Sequence, residues 1–190
     1  MLRKFALALV VLALGAANAS AVQINGSMSV GAFGATINDG TNIGNTTSLN
    51  VVVPFAGLAT GDYTNVTVGT FATASVIDLT NLPAFSITFG TFGTFQAAAS
   101  VGMLTTQITQ QTATNLDIFF VGSYSGLLAF DPTPTSFRVS FTQSGESISF
   151  SATLNSPPVP PRVVPEPTTV ASAVAGLLFA GFAARRRLAK

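Results

Sequence analysis

Cysteine, histidine and tryptophan are all absent from the 190 residues, and charge is scarce. Without cysteine there is no disulfide framework, so stability has to come from an ordinary hydrophobic core, which ~130 residues can supply. The loss of histidine and cysteine together removes the usual general base, the usual metal ligands and the most reactive nucleophile. Charged residues make up 8% of the chain, and their placement says more than their sum. Arg3, Lys4, Arg185, Arg186, Arg187 and Lys190 lie at the ends, which leaves Arg138 and Arg162 between them. Asp39, Asp62, Asp78, Asp117, Asp131 and Glu146 lie in the centre, so residues 22–164 carry two basic against six acidic groups, a net charge of −4. The formal +1 of the whole chain conceals an acidic middle. That argues against nucleic acid as a partner, which calls for a basic face.

What is present begins with an export address. Arg3 and Lys4 give residues 1–21 a positive start, and Phe5 to Leu14 form an apolar run of ten. Small residues follow, with Ala17-Asn18-Ala19 and Ala19-Ser20-Ala21 both fitting the small-x-small rule for signal-peptide cleavage. The run is shorter than a bilayer span, so a cleaved secretory signal is expected over an uncleaved anchor. Cleavage after Ala19 and after Ala21 both remain open.

Residues 22–154 alternate with period two, the mark of half-buried strands. Val22, Ile24, Met28 and Val30 share one face, as do Leu49, Val51 and Val53, then Val66 and Val68, then Phe85, Ile87 and Phe89. Phe137, Val139 and Phe141 alternate with Ser136, Arg138, Ser140 and Thr142; after Gln143-Ser144-Gly145, Ile148, Phe150, Ala152 and Leu154 alternate with serines and Thr153. This last pair reads as an antiparallel hairpin with an apolar face in and a Ser/Thr face out. Asn38-Asp39-Gly40, Gly57, Gly61, Gly90, Gly93, Gly122 and Gly126 suit turns that need positive φ. Asp131-Pro132-Thr133-Pro134-Thr135 reads as a rigid turn between strands. Gln96 to Gln111 is rich in Ala and Gln and leaves helix as an alternative there. The whole predicts an all-β, antiparallel sandwich or jelly-roll-like domain of about ten strands, with no solenoid repeat.

Chemistry is hard to find in it. No Lys or His stands in residues 22–164 to activate one of the many serines and threonines. A carboxylate-pair hydrolase would have to draw on the six central acids, most of which sit beside turn residues, where Asp is ordinary turn chemistry. Gly-x-Ser-x-Gly, phosphate-loop and zinc spacings are missing. Residues 38–45 (Asn-Asp-Gly-Thr-Asn-Ile-Gly-Asn) offer oxygen ligands to Ca²⁺ but one carboxylate, so a Gly/Asn-rich turn is expected there. Asn25, Asn45 and Asn65 open N-x-Ser/Thr sequons, a pattern frequent by chance in such a composition. No metal, no cofactor and no enzymatic activity are expected.

The end of the chain is better defined. Residues 155–167 turn proline-rich, Ser156-Pro157-Pro158-Val159-Pro160-Pro161, an extended spacer of roughly 3 Å per residue. Pro165-Glu166-Pro167 closes that spacer. Thr168 to Ala184 is uncharged and as a helix would rise roughly 25 Å, the short end of what spans a bilayer. Arg185, Arg186 and Arg187 open the basic tail 185–190 and would fix the cytoplasmic end.

Motif, apolar helix and arginine cluster in this order resemble the PEP-CTERM sorting signal of exported proteins of Gram-negative bacteria. Residues 127–154, with Asp131-Pro132-Thr133-Pro134 before a Phe/Ser hairpin, look like the last strands of a family of PEP-CTERM exported β-domains with no assigned activity, a resemblance that brings no catalytic residues with it. The resemblance implies passage through the export translocon and signal peptidase, a transient stay in the inner membrane, and cutting near Pro165-Glu166-Pro167 by an exosortase-like protease. It further implies release to the cell surface or extracellular matrix and a link to exopolysaccharide and biofilm. One label of the tail family mentions ice binding; Thr112-Ala113-Thr114 and Thr133-Pro134-Thr135 are isolated pairs, and no ice-binding ladder is expected. The alternatives are an uncut, permanently anchored envelope protein with an adhesive or carbohydrate-binding β-domain and, more remotely, the carboxylate hydrolase. Small pairs such as Ser172/Gly176 and Gly176/Ala180 would equally serve helix packing in a plain anchor.

Overall fold

The computed structural model describes residues 22–127 and 130–161. The signal segment 1–21, the processing motif, the apolar run 168–184 and the basic tail all lie outside them. The contacts divide the chain into two units, Met1–Val159 and Pro160–Lys190; of the second, Pro160 and Pro161 are the described residues and take no regular structure.

The described part of the first unit is all-β and antiparallel. Its strands are β1 (Gly26–Ile37), β2 (Ser48–Ala59), β3 (Thr73–Ala74), β4 (Ile77–Asp78), β5 (Ser86–Thr88), β6 (Thr94–Ala98), β7 (Ser100–Val101), β8 (Leu104–Thr105), β9 (Gln107–Gln111), β10 (Asn115–Ser125), β11 (Thr133–Ser144) and β12 (Ser147–Ser156). Among the described residues the only helical turns are two short 3₁₀ segments, Gly61–Asn65 and Leu82–Ala84, and no helix is long and apolar enough to cross a membrane. The Ala/Gln-rich stretch 96–111 is strand and hairpin.

Ten strands form one sheet in the order β3-β5-β6-β10-β11-β12-β1-β2-β4, with β9 also paired to β10; β7 and β8 make a separate hairpin. The sheet curls until its edges meet. Ala56 N–H donates to Thr70 O at 2.9 Å and Ala72 N–H to Pro54 O at 2.7 Å, so residues 70–72 are bound to β2 while their continuation, β3, pairs with β5. Curling of this kind satisfies strand edges that would otherwise be open to pairing with other chains.

The core lies inside the curl. Alternation puts Phe137, Val139 and Phe141 of β11 and Ile148, Ala152 and Leu154 of β12 inward, as their sequence predicts. Phe85, Phe95, Phe120 and Phe137 form one aromatic cluster, with Phe85 and Phe120 stacked at 4.7 Å and Phe95 against Phe137 at 5.5 Å. β10 is buried on both faces from Ile118 to Gly122, which hides its alternation. Gly122 is expected in a turn but stands in this strand. A Cβ there would come within 2.0 Å of Gln96 O, so a side chain would push β6 off β10.

Three other local expectations change. Thr133, Pro134 and Thr135 open β11 instead of forming a turn. Proline is tolerated because β12 begins pairing with β11 only at Ser136, so no neighbour on that side asks Pro134 for an N–H. Val66 and Val68 do not share a strand face: Val66 is buried beneath the first 3₁₀ turn and Val68 is exposed. Leu49, Val51 and Val53 do not stay on one face either, since Val53 is exposed with φ +47°. β1 buries Met28 and Val30, then Ala35; β2 buries Leu49, then Pro54 and Ala56. Both strands change parity at Phe33 opposite Val53, a rung missing from their pairing, as is Ser29 at the bulge between Met28 and Val30. Paired strands that switch faces in this way make the corner of a curled sheet.

Candidate functional site

None of the residues singled out for processing falls within the described structure. Ala17, Ala19 and Ala21, then Pro165, Glu166 and Pro167, then Arg185, Arg186 and Arg187, all lie outside it. What the structure does describe is the seat from which the C-terminal segment leaves.

The strands set that geometry. β1 starts, and β10 and β12 finish, at one pole of the sheet; β11 starts there too. The chain enters this pole at Val22 and leaves it after Ser156. Entry is held by Asp131 N–H donating to Val22 O at 3.0 Å and Ile24 N–H donating to Thr133 Oγ1 at 3.0 Å. Exit is held by a buried chain of hydroxyls. Tyr63 Oη lies 2.6 Å from Ser156 Oγ, which lies 2.6 Å from Thr135 Oγ1, and Thr135 donates its proton to Thr133 O at 2.9 Å. A hydroxyl has one proton to give. With that of Thr135 committed to Thr133 O, Ser156 donates to Thr135 and Tyr63 donates to Ser156. Burial also keeps Tyr63 protonated, pushing its pKa up to about 12. Tyr124, edge-on to Tyr63 at 5.3 Å, is shifted upward by burial as well. Beyond the clamp, Val159 N–H donates to Ser136 Oγ at 3.0 Å. Thr133 and Thr135 thus belong to the site, and reading the two prolines as a turn concealed them. The usable signal was their period-two spacing, continuous with Phe137 and Val139.

The opposite pole holds the calcium candidate. Asp39 accepts from Thr46 Oγ1 at 2.6 Å, Thr47 Oγ1 at 2.5 Å, Thr47 N–H at 2.9 Å and Ser48 N–H at 3.2 Å. These donors, the Thr46 hydroxyl foremost, hold its carboxyl far below the usual carboxylate range. Both oxygens are taken up in folding the loop, the turn reading that Gly and Asn favour. The loop is seated by Ile43 N–H on Gln143 Oε1 at 2.9 Å and by Gln111 Nε2 on Ile43 O at 3.1 Å. Beside it opens a shallow cleft of about 290 Å³, where Glu146 is the one acid of the lining and Thr36, Thr41 and Gln143 are the other polar side chains. Among the described residues no group of three acidic or other metal-ligating side chains gathers. Asn45 and Asn65 spend their amides on Thr41 Oγ1 and Asp62 O, while Asn25 is exposed.

No family model, curated protein or solved structure matches the chain.

Proposed function

We propose that the protein is an exported, non-enzymatic surface or extracellular-matrix protein whose C-terminal segment is a PEP-CTERM-like sorting signal. Supporting the reading is the sequence order Pro165-Glu166-Pro167, the uncharged run 168–184, and Arg185 to Arg187. One structural observation carries it further: among the described residues the sheet draws nothing from beyond Ser156, and the exit is pinned by Tyr63, Thr135 and Ser136. A cut near residue 165 would therefore leave every described strand in place.

In this reading the curled sheet is a β-sandwich or jelly-roll-like domain between an N-terminal signal helix and a C-terminal transmembrane helix. The translocon and signal peptidase deliver it, and the apolar run holds it briefly in the inner membrane. The proline-rich spacer presents the motif to an exosortase-like protease, and the domain passes to the cell surface or matrix, in association with exopolysaccharide. The test is the intact mass and C-terminal peptide of protein taken from its native host. A form beginning near Ser20 or Val22 and ending near Pro165–Pro167 is expected. Recovery of Arg185–Arg187 in the mature form would sink the mechanism and leave a permanently anchored envelope protein.

A further inference from the structure

Two costly features coincide on the outer side of the β1–β2 corner. The first is backbone strain: Val53 takes φ +47°, a region that β-branched residues avoid. The second is exposed aromatic surface. Phe33 is 74% and Phe71 63% exposed, whereas Phe85, Phe89, Phe95, Phe119, Phe120, Phe137 and Phe141 are buried. Phe33 keeps the outward parity of Ser29 and Gly31, and the parity of β1 changes just after it, before Ala35. Phe33 lies 5.6 Å from the half-buried Phe55, tilted by 50°. Phe71 pairs with Phe55 on its other side through a backbone bridge, which sets the two side chains on one face. The tip of the Phe55 ring fills the space over Gly31, where a Cβ would come within 2.6 Å of it. Three phenylalanines thus share one face of the corner.

The rings border a hydroxyl floor. Across β11, β12 and β1 the outward rungs are Ser140–Ser151–Gly31, the last facing Phe55, and Arg138–Thr153–Ser29. Strand spacing of about 4.8 Å makes this floor roughly 14 Å wide from β11 to β2. Arg138 is its one charged member; its register partners are Phe119 and Thr153, so no carboxylate stands opposite it in the ladder.

We propose that this face binds a strand of neutral polysaccharide, with a pyranose ring laid on Phe33, Phe55 and Phe71 and its hydroxyls on the floor. A pyranose is flat and apolar on its C–H faces and hydroxylated at its rim, which matches a face of rings beside a floor of serines. Composition separates this occupant from a second copy of the chain: Ser29, Ser140, Ser151 and Thr153 line the face beside the rings, and serine is depleted in protein–protein interfaces. Charge selects the polymer: a net −4 over residues 22–164 repels polyanions, and a single arginine does not offset it. The inference rests on the proposed export for its setting, since the domain meets polysaccharide outside the cell.

The test is affinity electrophoresis of the full chain in phospholipid nanodiscs, through native gels cast with hydroxyethyl cellulose, xyloglucan, soluble starch or alginate. Retardation in at least one neutral gel is expected, weakened at least tenfold by Phe33→Ala with Phe71→Ala. Both side chains are exposed, so the melting temperature of the double variant should match the parent. No retardation in any neutral gel, equal retardation of the double variant, or retardation by alginate alone would each overturn the proposal. So would a concentration-dependent dimer that the double variant abolishes, which would give the face to a second copy. The tail is read by mass and the face by mobility, so either reading can fail without the other.

Discussion

The phenylalanines of β6, β10 and β11 and those of the β1–β2 corner are the same residue put to opposite use. Phe95, Phe120 and Phe137 close the core of a chain with no disulfide and, in its middle, hardly any ion-pairing capacity. Phe33 and Phe71 stand in water on the outside. The difference teaches that hydrophobicity sets how much surface must be hidden, while parity along the strand decides which residues hide it. Phe33 stands outside because it keeps the outward parity of Ser29 and Gly31.

The widest separation should come from paired truncations. Phe137→Ala empties a site packed by three other aromatic rings and is expected to cost about 3–5 kcal/mol, whereas Phe33→Ala is expected to stay within about 0.5 kcal/mol. Urea unfolding of both variants measures this, and equal losses would mean that Phe33 is core after all.

Alkaline pH probes the inner region through the exit clamp. Tyr63 has a folded pKa near 12 against an unfolded value near 10, so its stabilising contribution is complete below pH 10 and is lost as pH rises through 12. The shift corresponds to about 2–3 kcal/mol across that window. Tyr63→Phe should flatten the alkaline fall in stability, and an unchanged pH profile would show that the phenol is not held protonated. Ser156→Ala takes away the middle of the hydroxyl chain, leaving Tyr63 and Thr135 each short of a partner. A loss of about 1–3 kcal/mol is expected in the same unfolding assay. Less than 0.5 kcal/mol would mean that water replaces the serine and the exit is only loosely seated.

Legibility in the sequence followed the same division. β11 and β12 could be read because they alternate cleanly and are joined by a two-residue turn at Gly145 and Glu146. The clamp was half-visible. Thr133 and Thr135 continue the inward parity of Phe137, but flanking prolines are turn signals everywhere except where a neighbouring strand has not yet begun. The aromatic face was readable only in part. Phe33 falls on the face opposite Met28 and Val30 by simple alternation, but the bridge that sets Phe71 beside Phe55 leaves no local pattern. Conversely the processing motif is a sequence feature only, carried by residue types and order in a segment outside the described fold.

The smallest prediction tests whether the strain at Val53 is real and local. At φ +47° a β-branched side chain costs roughly 1–2 kcal/mol that glycine does not incur. Glycine gives back roughly 0.5–1 kcal/mol through the greater freedom of the unfolded chain. Val53→Gly should therefore stabilise by about 0.5 kcal/mol. Val52→Gly, one residue earlier in the ordinary extended backbone of β2, carries the entropy cost with no strain to relieve and should destabilise by about 1 kcal/mol. The sign difference between neighbours is the measurement, since it cancels whatever glycine does to the unfolded state. If the two shifts agree in sign, Val53 is not strained and the corner is turned without conformational cost. If they differ, the strain is confined to the rung at which both strands change parity.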